Sequence, residues 1–161
     1  MRHIISVLVE NKFGVLARVS GLFSSRGFNI EALSVGETTD PSVSRMTIVT
    51  SGDDQIIEQV IKQLRRLIDV IKVTDLSEEN YVEREMVLIK VNSEAKVRSE
   101  VLEIVDIFRG KIIDVSPKSY IIEVTGDNEK IEAIIGLLRP LGIKEIARTG
   151  SVAMGRGLKK G

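Results

Sequence analysis

The chain has 161 residues with a hydrophobic content of 43%, a charged content of 29% and a formal net charge of zero. This length allows one domain or two small ones, and the balanced charge argues against a nucleic-acid-binding protein, which usually carries a basic excess. The absence of cysteine excludes disulfides, thiolate metal sites and cysteine nucleophiles. No apolar run is long enough for a membrane helix or resembles a signal peptide, so we expect a soluble cytoplasmic protein with no membrane partner.

The first half of the chain predicts the order strand, helix, strand, strand, helix, strand. An apolar run over 4–10 is the first strand, and a helix over 14–25 follows with apolar residues at helical spacing. Gly27 ends this helix because glycine suits the left-handed conformation after a helix C-terminus. The remaining elements are strands over 29–37 and 45–51, a helix that begins with Asp53 as its N-cap, and a strand over 69–75.

A polar, acidic stretch over 76–83 interrupts the apolar pattern and predicts a linker. The second half then repeats the order of the first, with domains expected over 1–77 and 78–161. Its predicted elements are strands over 85–92, 111–115, 119–125 and 143–149, a helix over 95–108 stopped by Arg109-Gly110, and a helix from Asp127 that Pro140 ends. The Gly- and Lys-rich tail from Gly150 is expected to be flexible.

This order predicts an α+β fold made of two tandem ferredoxin-like βαββαβ units. Each unit has ~80 residues, a size at which burial alone gives marginal stability. The strands of the first unit are apolar at nearly every position, whereas a sheet with one wet face should alternate. We therefore expect the other unit or a second chain to cover the open face of the first sheet.

Few residues in the chain could catalyse a reaction. The only histidine, His3, stands at the start of the first strand, where we expect a surface residue with no role. One histidine and no cysteine leave no zinc site, and the acidic clusters lie at predicted helix starts and in the linker. RNA-recognition modules share this topology but stack bases on aromatic residues of the central strands, and 4–10 and 45–51 contain none.

The junction between the first strand and the first helix is the strongest candidate for a ligand site. A helix start exposes unpaired backbone N–H groups, and Gly14 has no side chain to block an approaching anion. A carboxylate is favoured there by the amides and by the helix dipole. Asn11 could aim an amide at such a ligand, although Asn11 and Asn29 taken singly are more commonly loop residues that bond to the backbone.

Five segments carry a resemblance to a known family: ISVLVEN, GVLARVSGLFSSRGFNIEALSVG, DPSVSRMTIVTSGD, VEREMVLIKV and FRGKIIDVSP. The first half resembles an ACT domain, and the whole chain resembles the small regulatory subunits of acetolactate synthase (acetohydroxyacid synthase) in their short form. The resemblance implies an effector-binding ACT domain over 1–77 and a C-terminal, ACT-like regulatory domain over 78–161.

The resemblance further implies a non-catalytic subunit of a thiamine-diphosphate-dependent transferase. Such a subunit forms a homodimer through its ACT domain and activates a catalytic large subunit. The thiamine diphosphate, FAD and magnesium belong to that large subunit, and this chain would hold no cofactor. The small subunit confers feedback inhibition by valine on the first committed step of valine, leucine and isoleucine synthesis.

The implied effector site lies between two chains. Asn11, Gly14, Val15 and Leu16 of one chain would hold the carboxylate and amino group of valine, and Asn29 and Ile30 of the other would close the site. The corresponding loop of the second unit, 92–95, has no glycine, so we expect effector binding in the first unit only.

Two other functions remain open at this point. One is a free-standing ACT-type amino-acid sensor with no enzyme partner. The other is a structural assembly subunit that has lost its ligand. Co-purification with a large thiamine-diphosphate enzyme would distinguish the first from a regulatory subunit, and ligand binding by the isolated protein would distinguish the second. A standalone enzyme is disfavoured because the chain offers so few catalytic groups.

Overall fold

A computed structural model describes residues 1–158 of the chain. Its first part forms β1 (Arg2–Glu10), α1 (Val15–Ser25), β2 (Ile30–Glu37), β3 (Val43–Ser51), α2 (Asp54–Leu64), β4 (Val70–Asp75) and a short 3-10 turn (Leu76–Glu78). The remainder forms β5 (Tyr81–Asn92), α3 (Ala95–Ile107), β6 (Lys111–Val115), β7 (Ser119–Gly126), α4 (Asn128–Gly142), β8 (Ile143–Arg148) and β9 (Val152–Gly155). The predicted α+β fold with two βαββαβ units is confirmed.

The compact units are bounded differently from the predicted domains. The first unit contains Met1–Val82 together with the segment that begins at Ser151, and the second contains Glu83–Gly150. The end of the chain therefore returns to the first unit, whereas the sequence had placed it in a flexible tail. That prediction was wrong for Val152–Gly155, which form β9, because Ala153 is buried and the Arg156 N–H donates to the Asn80 carbonyl at 2.8 Å.

The sheet of the first unit is antiparallel, with strand order β2-β3-β1-β4. One face packs on α1 and α2, and its core includes Ile5, Val7, Phe23, Ile48 and Leu64. On the opposite face, Ile4 of β1 and Val49 of β3 form a smaller cluster with Leu76 of the 3-10 turn and Ala153 of β9. The face of the first sheet that we expected another unit or chain to cover is thus covered in part by β9, which belongs to the first unit itself.

The predicted linker over 76–83 is also wrong in its first and last residues. Leu76 is buried on the open face of the sheet, and Tyr81 already begins β5. Glu83 is buried as well. The stretch contains few apolar residues, so its local pattern resembles a linker, but Leu76 packs with residues that are distant in the sequence.

His3 lies in the interior of the first unit, which corrects the expectation of a surface residue. Its exposed fraction is 2%, and its ring lies between the carboxylates of Asp54 and Asp75. The alternating pattern of β1 predicts that Ile4 and Ile5 lie on opposite faces of the sheet. It does not predict that Asp54 of α2 and Asp75 of β4 lie next to the His3 ring.

The second unit has the corresponding strand order β6-β7-β5-β8, with a core between its sheet and helices α3 and α4. The prediction that Pro140 ends α4 was wrong. The helix runs two residues further to Gly142, whose φ of 107° ends it. A proline in the final turn removes a single intrahelical hydrogen bond, so the helix can continue to its end. Helix α3 ends at Ile107, just before the predicted stop at Arg109-Gly110, and Arg109 is the left-handed residue there, at φ 55°.

The predicted N-cap of α2 is confirmed, since the Asp53 side chain accepts a hydrogen bond from the Gln55 N–H at 2.8 Å. We expect Asp53→Ala to lower the free energy of unfolding by about 1 kcal/mol, because one N–H of the first turn loses its acceptor. Asp53→Asn is the matched control and should be nearly neutral, since asparagine caps as well as aspartate. Urea unfolding followed by circular dichroism measures both, and equal losses in the two variants would contradict a capping role.

Candidate functional site

The loop that joins β1 to α1 is held by backbone hydrogen bonds to two neighbouring segments. The N–H of Glu10 donates to the Asp69 carbonyl at 2.8 Å, and the N–H of Asn11 donates to the Ser42 carbonyl at 2.7 Å. Asp69 precedes β4 and Ser42 precedes β3. The loop is therefore fixed at the end of the sheet where β1 ends, and the start of α1 lies there.

Gly14 is the N-cap of α1 and adopts a left-handed conformation with φ 85° and ψ −9°. Other residues rarely adopt this conformation, and a Cβ at this position would lie 3.3 Å from the Arg18 guanidinium. Within residues 1–158 no side chain caps α1, and its first turn contains no acidic residue. The amide groups at the start of α1 consequently meet the requirements for holding a carboxylate.

Arg18 lies beside this helix start and was missed in the sequence analysis. Its guanidinium forms an ion pair with Asp69, whose side chain is 10% exposed, while the Arg18 side chain is 50% exposed. The spacing of four residues from Gly14 places Arg18 one turn along α1, which is the signal that could have identified it. Arg18 brings a positive charge next to Gly14, and Asp69 balances that charge.

The other predicted residues in this loop differ in which of their groups could contact a ligand. Asn11 is exposed, and its amide nitrogen donates to the Pro41 carbonyl at 3.0 Å, so the amide joins the loop to the turn before β3. Val15 is buried in the core, and its backbone N–H donates to the Lys12 carbonyl in a long hydrogen bond of 3.4 Å that a ligand would have to replace or share. Leu16 is 46% exposed and offers its side chain.

Asn29 and Ile30 lie at the other end of the same sheet. Ile30 pairs with Thr50, which also pairs with His3 on β1, whereas Glu10 at the far end of β1 pairs with Val43. Glu10 is seven positions after His3, which corresponds to about 23 Å along the strand. A single chain therefore does not bring Asn29 and Ile30 together with Asn11 and Gly14.

The second unit presents a different structure at the corresponding position. The N-cap of its helix α3 is Glu94, with φ −59° and ψ 150°, in place of a left-handed glycine. The Asn92 side chain accepts a hydrogen bond from the Glu94 N–H at 2.9 Å, and the Ser93 N–H donates to the Lys118 carbonyl. An acidic side chain at this helix start would repel a carboxylate.

Two further properties concern the described part of the chain, residues 1–158. No group of three or more histidine, aspartate or glutamate side chains there has an arrangement that could hold a metal ion. The helices in this range are too short or too polar to cross a membrane.

Two family models match the two halves of the chain. Residues 5–72 match the AHAS small subunit-like ACT domain, and residues 84–157 match the small subunit of acetolactate synthase. The chain belongs to the acetolactate synthase small-subunit family. The resemblance inferred from the sequence is thereby confirmed.

Similar proteins cover the chain almost from end to end. A probable acetolactate synthase small subunit from Archaeoglobus fulgidus is 59% identical over 99% of this chain and 100% of its own length. The acetolactate synthase small subunit from Aquifex aeolicus is 60% identical over 96% of this chain and 81% of its own length. The crystal structure of the small subunit from Thermotoga maritima is 50% identical, covers 99% of both chains and superposes with a TM-score of 0.86.

Proposed function

We propose that this member of the acetolactate synthase small-subunit family is a non-catalytic regulatory subunit. It binds the catalytic large subunit, raises its activity and makes it sensitive to feedback inhibition by valine. The thiamine diphosphate, FAD and magnesium of the reaction belong to the large subunit, which condenses pyruvate with a second 2-oxo acid in branched-chain amino-acid synthesis. Full-length relatives that carry the small-subunit name support this proposal.

The effector in this proposal is free valine bound at the start of α1. Its carboxylate binds the backbone N–H groups after Gly14, a contact worth roughly 0.3–2 kcal/mol at a helix N-terminus. Its ammonium group needs an acceptor, which the side-chain oxygen of Asn11 can supply while the amide nitrogen donates to Pro41. The exposed part of Leu16 provides an apolar contact for the isopropyl group.

The placement of Asn29 and Ile30 supports a site that two chains share. These residues lie at the end of the sheet opposite to Gly14, about 23 Å away along the strands. If both groups of residues contact one valine, they must come from different chains of a homodimer. Valine binding would then depend on dimer geometry, and couplings of about 1–3 kcal/mol are sufficient for feedback control.

A calorimetric titration of the purified chain with valine tests this function, with leucine, isoleucine and lysine as comparison ligands. We expect saturable binding at one site per chain or per interface, with a preference for small branched side chains over lysine. A parallel assay of the large subunit should show inhibition by valine only when this chain is present. Sedimentation should give a dimer. Valine inhibition of the large subunit alone, unchanged when this chain is added, would contradict the proposal.

A further inference from the structure

The imidazole of His3 connects three elements of the first unit. Nε2 lies 2.8 Å from Oδ1 of Asp54 in the first turn of α2, and Nδ1 lies 2.9 Å from Oδ2 of Asp75 at the end of β4. The hydroxyl of Ser77, in the 3-10 turn, lies 3.2 Å from Nδ1. The His3 side chain is only 3% exposed, and that of Asp75 is 10% exposed, so both groups are largely removed from water.

These contacts require a particular charge on the ring. A neutral imidazole has one N–H donor and one lone pair, so a ring with a carboxylate at each nitrogen would direct its lone pair at a negative oxygen. The imidazolium ion donates from both nitrogens and forms a charge-assisted hydrogen bond with each carboxylate. The geometry around His3 is therefore that of a protonated ring.

The surrounding charges favour the same form. The ionisable residues that line the cavity next to the ring are Asp54, Glu58, Arg65, Lys72, Asp75, Glu78 and Glu79. Acidic residues outnumber basic ones in this set. Burial of the ring lowers the pKa of His3, but the hydrogen bonds and negative charges of Asp54 and Asp75 outweigh burial and raise that pKa above its ordinary value of 6.5.

The cluster also fixes the turn that follows β4. The second oxygen of Asp75 accepts a hydrogen bond from the Ser77 N–H at 3.1 Å and another from the Ser77 hydroxyl. The intervening residue, Leu76, is 3% exposed and packs with Ile4, the neighbour of His3 on β1. Loss of the positive charge on His3 would therefore affect both the start of α2 and the turn that places Leu76 on the open face of the sheet.

We propose that protonated His3 is a pH-sensitive latch that fastens the first turn of α2 and the 3-10 turn to β1, and that it opens as the pH rises. A group whose pKa is raised in the folded state contributes its full stabilisation below its unfolded value, here about 6.5, and loses it as the pH rises through the folded value. Each unit by which folding raises the pKa of His3 corresponds to a tenfold change in the opening equilibrium.

The single histidine makes the latch directly measurable, because the full chain gives one set of imidazole signals in a carbon–proton correlation spectrum. Titration from about pH 5.5 to about pH 9 should give a midpoint above 6.5. Asp54→Asn should lower that midpoint, and the variant should fold because the Asp54 side chain is 66% exposed. Asp75→Asn should lower it as well. A midpoint at or below 6.5, or one unchanged in both variants, would overturn the proposal.

Hydrogen exchange tests whether loss of the His3 proton loosens the start of α2. The first turn of α4, capped by Asp127 in the second unit, is the internal control for the ordinary increase of exchange with pH. Relative to that turn, amides at the start of α2 should lose about tenfold in protection for each unit by which the pKa of His3 is raised. His3→Gln should abolish this pH-dependent difference. A wild-type ratio that stays constant across the titration would show that His3 does not act as a latch.

Discussion

Gly14→Asp should weaken valine binding by more than a hundredfold, if valine occupies the site proposed at the start of α1. The new carboxylate would stand where the carboxylate of valine meets the helix amides, which removes a contact of roughly 0.3–2 kcal/mol. Repulsion between two like charges at about 4 Å adds about 4 kcal/mol at the effective dielectric of a protein surface. Together these effects exceed the roughly 2.7 kcal/mol that a hundredfold change in Kd requires.

Two variants separate the loss of the site from strain in the backbone. Gly14→Ala imposes the same left-handed conformation on a residue with a side chain but adds no charge, so its effect on valine binding should be smaller. Gly157→Asp places the same carboxylate on another left-handed glycine with open space around it, and it should bind valine as the wild type does. Calorimetry on folded protein measures all three, and undiminished binding by Gly14→Asp would show that valine binds elsewhere.

Phe23→Ala should lower the free energy of unfolding of the first unit by about 3–5 kcal/mol. Phe23 belongs to α1, is 0% exposed and packs in the core with residues such as Val7 and Ile48. Alanine at this position loses the transfer free energy of the ring and leaves a cavity that the surrounding helices fill only in part. Domains of this size are marginally stable, so the loss would remove a large share of the total.

Phe13→Ala is the matched control for this prediction, because it removes the same ring from a residue that is fully exposed. It should change the free energy of unfolding by no more than about 0.5 kcal/mol. Urea unfolding followed by circular dichroism compares the two variants at equal protein concentration. Losses of similar size would mean that Phe23 does not occupy a close-packed core.

The parts of the fold that were predicted correctly follow from local patterns. The strand over 111–115 was predicted with the bounds that the structure has, and Asp53 was identified as a cap from its position before an amphipathic stripe. The missed parts depend on distant contacts. Ala153 is buried because Ile4 and Val49 lie beneath it, and nothing near Ala153 in the sequence indicates this.

The candidate site was predictable to a similar extent. The left-handed Gly14 at a helix start could be inferred from the order of strand, loop and helix. The ion pair of Arg18 with Asp69 could not, because it joins residues 51 positions apart. His3 was misplaced for the same reason, since its partners Asp54 and Asp75 approach it only when α2 and β4 are in place. Patterns of hydrophobicity locate elements, whereas polar contacts between elements require the tertiary structure.

Because β9 belongs to the first unit, it sets the order in which the two units can complete their folding during translation. Residues 83–150 are contiguous and emerge before the last segment, so the second unit has all of its residues while the first is still incomplete. Ile4, Val49 and Leu76 can pack against Ala153 only after the whole second unit has been synthesised, because Ala153 follows residues 83–150 in the chain. Although domains generally fold from the amino terminus onward as they are synthesised, the unit that is begun first here is the one completed last. A fragment that stops at residue 77 would leave this apolar cluster uncovered and prone to aggregation.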